Sequence, residues 1–172
     1  MKALFVGRFQ PFHNGHLKAI QHIAKECGEV IVLVGSSQKC YEVQNPFTVG
    51  ERIEMIDLAL KEAKVKNYLI LSIPDIANNA LWVNHVDSLV PHYDVVYSNN
   101  SLTKKLFEDD GKTVRSIPFH DRAANDGTKI RRSMPKNDQW KKLVPPAVAK
   151  FIVKIKGVER VRSVGKTDKY TD

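Results

Sequence analysis

The chain has 172 residues and a net charge of +8, with 42% hydrophobic and 27% charged residues. That composition fits one soluble globular domain with a sizeable core and excludes a low-complexity or fibrous chain. The longest apolar runs, such as Val30 to Val34, are far too short to span a bilayer, and no charged-then-apolar leader opens the sequence.

The first element is an apolar run, Ala3-Leu4-Phe5-Val6, that predicts a buried strand. Gly7-Arg8-Phe9-Gln10-Pro11-Phe12-His13-Asn14-Gly15-His16 follows it. Leu17, Ile20, Ile23 and Ala24 then recur at helical spacing as far as Cys27, and Gly28 stops the helix. The segment is therefore a strand-to-helix turn with two histidines near the helix start. A helix start offers free N–H groups and the positive end of a dipole, and two imidazoles there add donors for a polyphosphate. A zinc pair would need the H-E-x-x-H spacing or further ligands nearby, and neither is present, so no metal ligand set is assigned. Turn histidines that only cap or pack are the bland alternative.

Further strands are predicted at Val30 to Val34, Tyr68 to Ile73, Asp94 to Tyr97 and Thr113 to Ile117. Between them, Thr48-Val49-Gly50-Glu51 has the spacing of a capping box and opens a helix through Ile53, Ile56, Leu60 and Ala63. A third helix is predicted from about Asn78 to Val90, and a fourth from Ser101 to Asp109. Alternating strands and helices predict an α/β fold: a Rossmann-like doubly wound parallel sheet with C-terminal helices. Ligands of such sheets bind beyond the carboxyl ends of the strands. His13, Gly35-Ser36-Ser37, Asp75 and Ser98-Asn99-Asn100 all follow strand ends and should line one edge.

After Arg132 the pattern changes, and Pro145-Pro146 opens a last helix from Ala147 to about Lys156 with an apolar stripe of Val148, Phe151, Ile152 and Ile155. The domain is expected to span residues 1–160, and residues 161–172 to form a basic, flexible tail that activity does not need. Residues 150–172 carry seven basic side chains against three acidic ones, half of the net charge. The rest of the excess includes Arg8, Lys129, Arg131 and Arg132, which lie in phosphate-type motifs, and the tail offers no evident stacking platform for bases. Nucleic acid is therefore not the expected partner. Cys27 and Cys40 form no C-x-x-C pair and read as free thiols of a reducing, cytoplasmic compartment.

The motifs also carry a resemblance. H-x-G-H in a strand-turn-helix context resembles the signature of the α/β-phosphodiesterase nucleotidyltransferases. The longer string from Gly7 to His16 resembles the archaeal type of nicotinamide-nucleotide adenylyltransferase. Asp126-Gly127-Thr128-Lys129-Ile130-Arg131-Arg132 resembles that family's S-G-T-x-x-R segment, with Asp where Ser is usual. Asn45 to Arg52 and Asp75 to Val83 match in order and approximate spacing, so the likeness covers about residues 1–160.

The resemblance implies AMP transfer from ATP to nicotinamide mononucleotide (NMN), giving NAD and pyrophosphate. It implies Mg²⁺ held mainly by the substrate phosphates, and a homo-oligomer, often a hexamer. His13 and His16 would donate to the ATP phosphates, with Gly7, Phe9 and Gly15 in the same loop and Gly15 close to the adenosine. Arg8 would hold the β/γ end or the incoming phosphate, Gly127 and Thr128 a second anion cradle, and Arg131 the departing pyrophosphate. Ser36, Arg52, Asp75, Asn79 and Trp82 would serve NMN. On periodicity alone Trp82 is a core residue, and Arg52 reads equally as a structural, phosphate-side or helix-surface arginine. Asp126 can cap the helix it opens or face the Mg²⁺. Other adenylyl or cytidylyl transferases, acting on flavin mononucleotide or phosphopantetheine, share H-x-G-H. A nucleotide- or nucleic-acid-binding module without catalysis is the remaining alternative.

Overall fold

The computed structural model describes residues 1–118 and 126–167. Five parallel strands form one sheet in the order β3-β2-β1-β4-β5. They are β1 (Lys2–Gly7), β2 (Glu29–Val34), β3 (Tyr68–Ser72), β4 (Val95–Tyr97) and β5 (Val114–Arg115). The strand side chains alternate between two cores, as a pleated strand buried on both faces requires. Ala3, Phe5, Val30, Val32 and Val34 enter one cluster, and Leu4, Ile31 and Leu33 the other.

The first core is closed by α1 (Asn14–Cys27), α2 (Val49–Glu62) and α6 (Pro146–Lys154), which contribute Ile20, Ile23, Met55, Ile56, Val148 and Ile152. The second is closed by α3 (Trp82–Leu89) and α4 (Ser101–Asp109), through Val83, Val86 and Phe107. The doubly wound sheet predicted from the alternation of elements is thus present. No helix among the described residues is long and apolar enough to cross a membrane.

The capping box of α2 forms as its sequence predicts. Thr48 Oγ1 accepts from Glu51 N–H, and the Glu51 carboxylate accepts from Thr48 N–H. Two elements differ from expectation. The third helix begins as a 3₁₀ turn (Asn79–Leu81), whose start Asn78 caps by accepting from Ala80 N–H. The fifth strand shrinks to two residues, and its next rung is made by a side chain. Asn99 Nδ2 donates to Ile117 O at 2.8 Å, while Ile117 N–H donates to Asn99 Oδ1 at 2.9 Å.

The basic tail needs a larger correction. After α5 (Gly127–Ser133), a 3₁₀ turn (Asp138–Lys142) and α6, a further helix α7 (Gly157–Thr167) runs seven residues past the expected boundary. Val161 is buried in the first core. Arg160 forks onto the Glu51 carboxylate at 2.5 and 2.8 Å and lies 4.5 Å over the Tyr41 ring. These contacts, invisible in the local charge pattern, dock what reads as a solvated end. Residues 168–172 lie outside the described residues.

Candidate active site

The turn after β1 is built by packing before it is built for a ligand. A Cβ on Gly7 would come within 2.7 Å of the Phe9 ring, so Gly7 makes room for a side chain of its own loop. Phe9 has a positive φ of 53° and is buried; its ring stands edge-on to His16 at 4.8 Å and to Phe5 at 5.9 Å. Gly7 and Phe9 therefore shape the loop and support His16, which the phosphate-contact reading of the motif does not reveal.

The two histidines cap α1 reciprocally. His13 Nδ1 accepts from His16 N–H, and His16 Nδ1 accepts from His13 N–H, both at 3.3 Å. The rings stack at 3.5 Å with 18° between planes. This is a capping box with imidazoles in place of Ser and Glu. It also fixes the chemistry. A neutral imidazole whose Nδ1 accepts must carry its proton on Nε2. Burial pushes His13 down to about 4, against an opposing pull from Asp126. Burial and the neighbouring His13 hold His16 well below its usual value. Both rings are neutral near pH 7, each with one Nε2–H left to give.

That pair borders two cavities. The larger, about 620 Å³, runs from His13, Gly15 and His16 to Ser98, Asn99 and Ile117. It exists because β4 pairs directly with β1, with Phe5 opposite Tyr97, so the end of β4 meets the start of α1. The smaller, about 170 Å³, lies among Arg8, His13, His16, Asp126, Thr128 and Arg131. Asp126 Oδ1 caps α5 by accepting from Thr128 N–H at 2.8 Å, which removes one donor from the expected anion cradle. Thr128 Oγ1 accepts from Arg131 Nη2 at 3.2 Å, and Arg131 Nη1 donates to Gln10 O at 2.6 Å. A Cβ on Gly127 would lie 3.3 Å from both Arg131 Nη1 and Gln10 O, so the glycine leaves that bond its space. Burial, with Arg8 nearby, pulls the Arg131 guanidinium below its usual range. Arg8 stands exposed at the mouth.

A third cavity of about 370 Å³ adjoins these, lined by Arg8, Gln44, Arg131, Arg132, Val161 and Gly165 among others. The C-terminal helix thus forms a wall beside Arg8, Arg131 and Arg132.

The residues expected to serve the second substrate gather elsewhere on the same edge. Ser36 follows β2 with a φ of 49°, and its Oγ donates to Asp75 Oδ1 at 3.0 Å. Gln38 Nε2 donates to Asp75 Oδ2 at 3.3 Å, Gln38 Oε1 accepts from Asp75 N–H, and Lys39 lies 3.6 Å from that carboxylate. Asn79 is exposed. Trp82 is half-buried, packs on the second core and meets the His85 ring at 5.9 Å. None of these four lines the cavities at His13 and His16. They lie at the ends of β2 and β3 and the start of α3, one strand or more away across the sheet.

Arg52 is neither a surface residue nor available to NMN. It is fully buried, and its N–H groups go to main-chain oxygens: Nε to Thr48 at 3.3 Å, Nη1 to Arg8 at 3.0 Å and Gly35 at 2.8 Å, Nη2 to Ser36 at 3.0 Å. Its assignment to NMN is corrected on that ground, since the guanidinium spends itself on carbonyls. Sequence reasoning also gave Gln10 no role. Its amide brackets Phe47, donating to Phe47 O at 2.9 Å and accepting from Phe47 N–H at 3.0 Å. Ile117 was missed likewise, whereas Ser98 and Asn99 carried the signal of following a strand end.

Residues 4–143 match the cytidylyltransferase-like family. A nicotinamide-nucleotide adenylyltransferase of Methanolobus tindarius is 46% identical over 168 residues, covering 98% of this chain and 96% of that protein. The protein of the same name from Thermococcus kodakarensis is 45% identical, covering 94% and 87%. A bifunctional NMN adenylyltransferase/ADP ribose pyrophosphatase from Francisella tularensis superposes with a TM-score of 0.81 at 18% identity. That match covers 98% of this chain and 53% of the bifunctional one, and it speaks for the fold. With a family match over most of its length and archaeal relatives near 45% identity end to end, the chain belongs to the nicotinamide-nucleotide adenylyltransferases of the cytidylyltransferase-like family.

Proposed function

We infer that the chain transfers the adenylyl group of ATP to nicotinamide mononucleotide, forming NAD and pyrophosphate. The observation that carries this is the near full-length identity to curated enzymes of that name, with the two-imidazole cap intact in the same chain. A phosphate oxygen of NMN attacks the α-phosphorus in line. The new P–O bond forms as the bond from the α-phosphorus to the bridging oxygen of pyrophosphate breaks. The nucleophile is already an anion near neutral pH, so no base is required, and two Nδ1 atoms engaged as caps offer none.

The catalyst must instead hold two polyanions and stabilise charge as it moves. His16 and His13 give Nε2–H donors to the α-phosphate and its neighbours. Arg131, braced on Gln10 O, presents its remaining N–H groups to the leaving pyrophosphate, and Arg8 closes the β/γ end. The cavity toward Ser98, Asn99 and Ile117 takes the adenosine. The exposed face of Trp82 stacks on the pyridinium, with Asn79 and the Ser36–Asp75 pair beside it. Asp126 is the one carboxylate among the described residues lining the His13–His16 cavities. That fits a Mg²⁺ carried mainly by substrate oxygens, which would screen the triphosphate, rather than one held in a protein cage. We further place the enzyme in the cytoplasm as a homo-oligomer, a form in which exposed Leu81, Leu89 and Leu102 could be covered.

The test follows NAD and pyrophosphate together from ATP and NMN, with flavin mononucleotide and phosphopantetheine as rival acceptors. Equal appearance of NAD and pyrophosphate with NMN is expected. Pyrophosphate release with a rival acceptor only would overturn the substrate while leaving the transferase class, and duplex DNA binding that survives moderate salt would revive the binding-module reading.

A further inference from the structure

We propose that Arg52 is a positioning residue that couples the two substrate sites, its guanidinium locking the phosphate loop after β1 to the loop after β2 that carries Ser36. The inference rests on the substrate reading above, which places ATP at the first loop and NMN at the second. One nitrogen, Nη1, is shared between Arg8 O and Gly35 O, and Nη2 holds Ser36 O. The three carbonyls belong to the two loops, and the side chain that grips them rises from a third element, α2, whose start is itself pinned by the Thr48–Glu51 cap.

A role in packing alone does not account for this arrangement. Among the described residues no carboxylate lies within ion-pair distance of Arg52, so folding buries a cation whose hydrogen bonds all go to main-chain carbonyls, with Asp75 attracting it only from further away. An apolar side chain of similar volume would fill the space between α2 and the sheet without that desolvation cost. What it would lack is the planar fork that reaches two loops at once, and lysine lacks the fork as well. The same unit extends further. The Gln10 amide ties the phosphate loop to Phe47, next to the cap of α2, and Arg131 donates to Gln10 O. On the second loop, Ser36 Oγ reaches Asp75. An anion that shifts the Arg8 main chain therefore pulls on Ser36 through a single guanidinium.

The parent protein gives the first test. Hydrogen exchange is followed at residues 7–10 and 35–37 with a non-hydrolysable α,β-methylene ATP analogue alone and with NMN alone. Each ligand is expected to slow exchange in both loops. Protection confined to each ligand's own loop would overturn the coupling alone. No protection anywhere, together with no NAD formed, would overturn the substrate reading and the inference with it.

The second test is a cycle of Arg8→Ala, Arg52→Lys and the double variant. Arg52→Lys keeps the charge and loses the fork, and kcat/KM should fall about tenfold or more for both substrates. In the Arg8→Ala background its further effect should shrink to a few-fold, because part of its work is done through that loop. Losses that multiply, or an Arg52→Lys enzyme within twofold of the parent, would refute positioning. Should Arg52→Lys fail to fold, the exchange pattern of the parent decides.

Discussion

Replacing His16 separates the two tasks of one ring. Its Nδ1 holds His13 N–H, and its Nε2–H is free for the substrate. Asparagine places an acceptor where Nδ1 stands and has nothing at Nε2. His16→Asn should therefore keep the cap and lose the donor. Loss of one donor aimed at developing charge costs about 3–4 kcal/mol, so kcat should fall roughly 10²- to 10³-fold with little change in ATP affinity. The ring also loses its contacts with Phe9 at 4.8 Å, Phe12 at 5.5 Å and the stacked His13 at 3.5 Å. Aromatic pairs are worth about 0.5–1.5 kcal/mol each, so the three together, at about 3 kcal/mol, predict a melting temperature roughly 6–12 °C lower. Glutamine reverses the choice, reaching toward the Nε2 position without an acceptor at Nδ1. It should retain more turnover than asparagine and melt lower. Continuous NAD formation at saturating ATP and NMN, with calorimetric ATP binding, reads both effects. A folded His16→Asn enzyme within about tenfold of the parent would refute the donor role of Nε2.

Further outcomes follow from other parts of the structure. Trp82→Ala should raise KM for NMN while leaving that for ATP little changed, and also lower the melting temperature by a few degrees, because the ring packs on the second core; equal damage to both KM values would make it a core residue alone. Ending the chain after Thr167 should be silent, whereas ending it after Arg162 removes Gly165 from the wall beside Arg8 and should lower kcat/KM at both low and moderate salt. A fully active chain ending at Arg162 would return that segment to the status of a tail. Because folded His13 is pushed down to about 4, the unfolded chain takes up a proton between pH 6.5 and 4 that the folded one refuses. The contribution of His13 to stability should fall with pH across that window by about 1.4 kcal/mol per unit. His13→Asn should then gain on the parent between pH 7 and 5, and a constant gap in melting temperature would contradict the buried, neutral ring.

Local chemistry made much of this legible in the sequence. The cap at Thr48 and Glu51, the helix ends at Cys27 and Asp109, and the strand-turn-helix around His13 all rest on residues within a few positions of one another. The anion chemistry of the candidate site is concentrated in one decapeptide and one heptapeptide, and residues of both line one cavity. What stayed hidden depends on distant partners. Arg52 reads equally as core, surface or ligand until Arg8, 44 residues away, is placed against it. Gln10 has no visible role until Phe47 and Arg131 arrive, and α7 looks soluble until Arg160 meets Glu51, 109 residues earlier. Ile117 enters the cavity only because the carboxamide of Asn99 continues a strand that its own residues abandon.

The buried arginines have a consequence for anyone handling the protein. Burial pulls both Arg52 and Arg131 down from their usual range, and among the described residues neither is paired with a carboxylate. Without substrate, the molecule carries buried positive charge that its own fold offsets only from beyond ion-pair distance, through Asp75 at Arg52 and Asp126 at Arg131. Inorganic anions that enter beside Arg131 and Arg8 relieve part of that burden and favour the folded state by mass action. Buffer composition is therefore an unnoticed ligand: phosphate or pyrophosphate should stabilise the chain beyond what chloride does at equal ionic strength. An affinity for ATP measured in phosphate buffer would then report a competition rather than a binding constant.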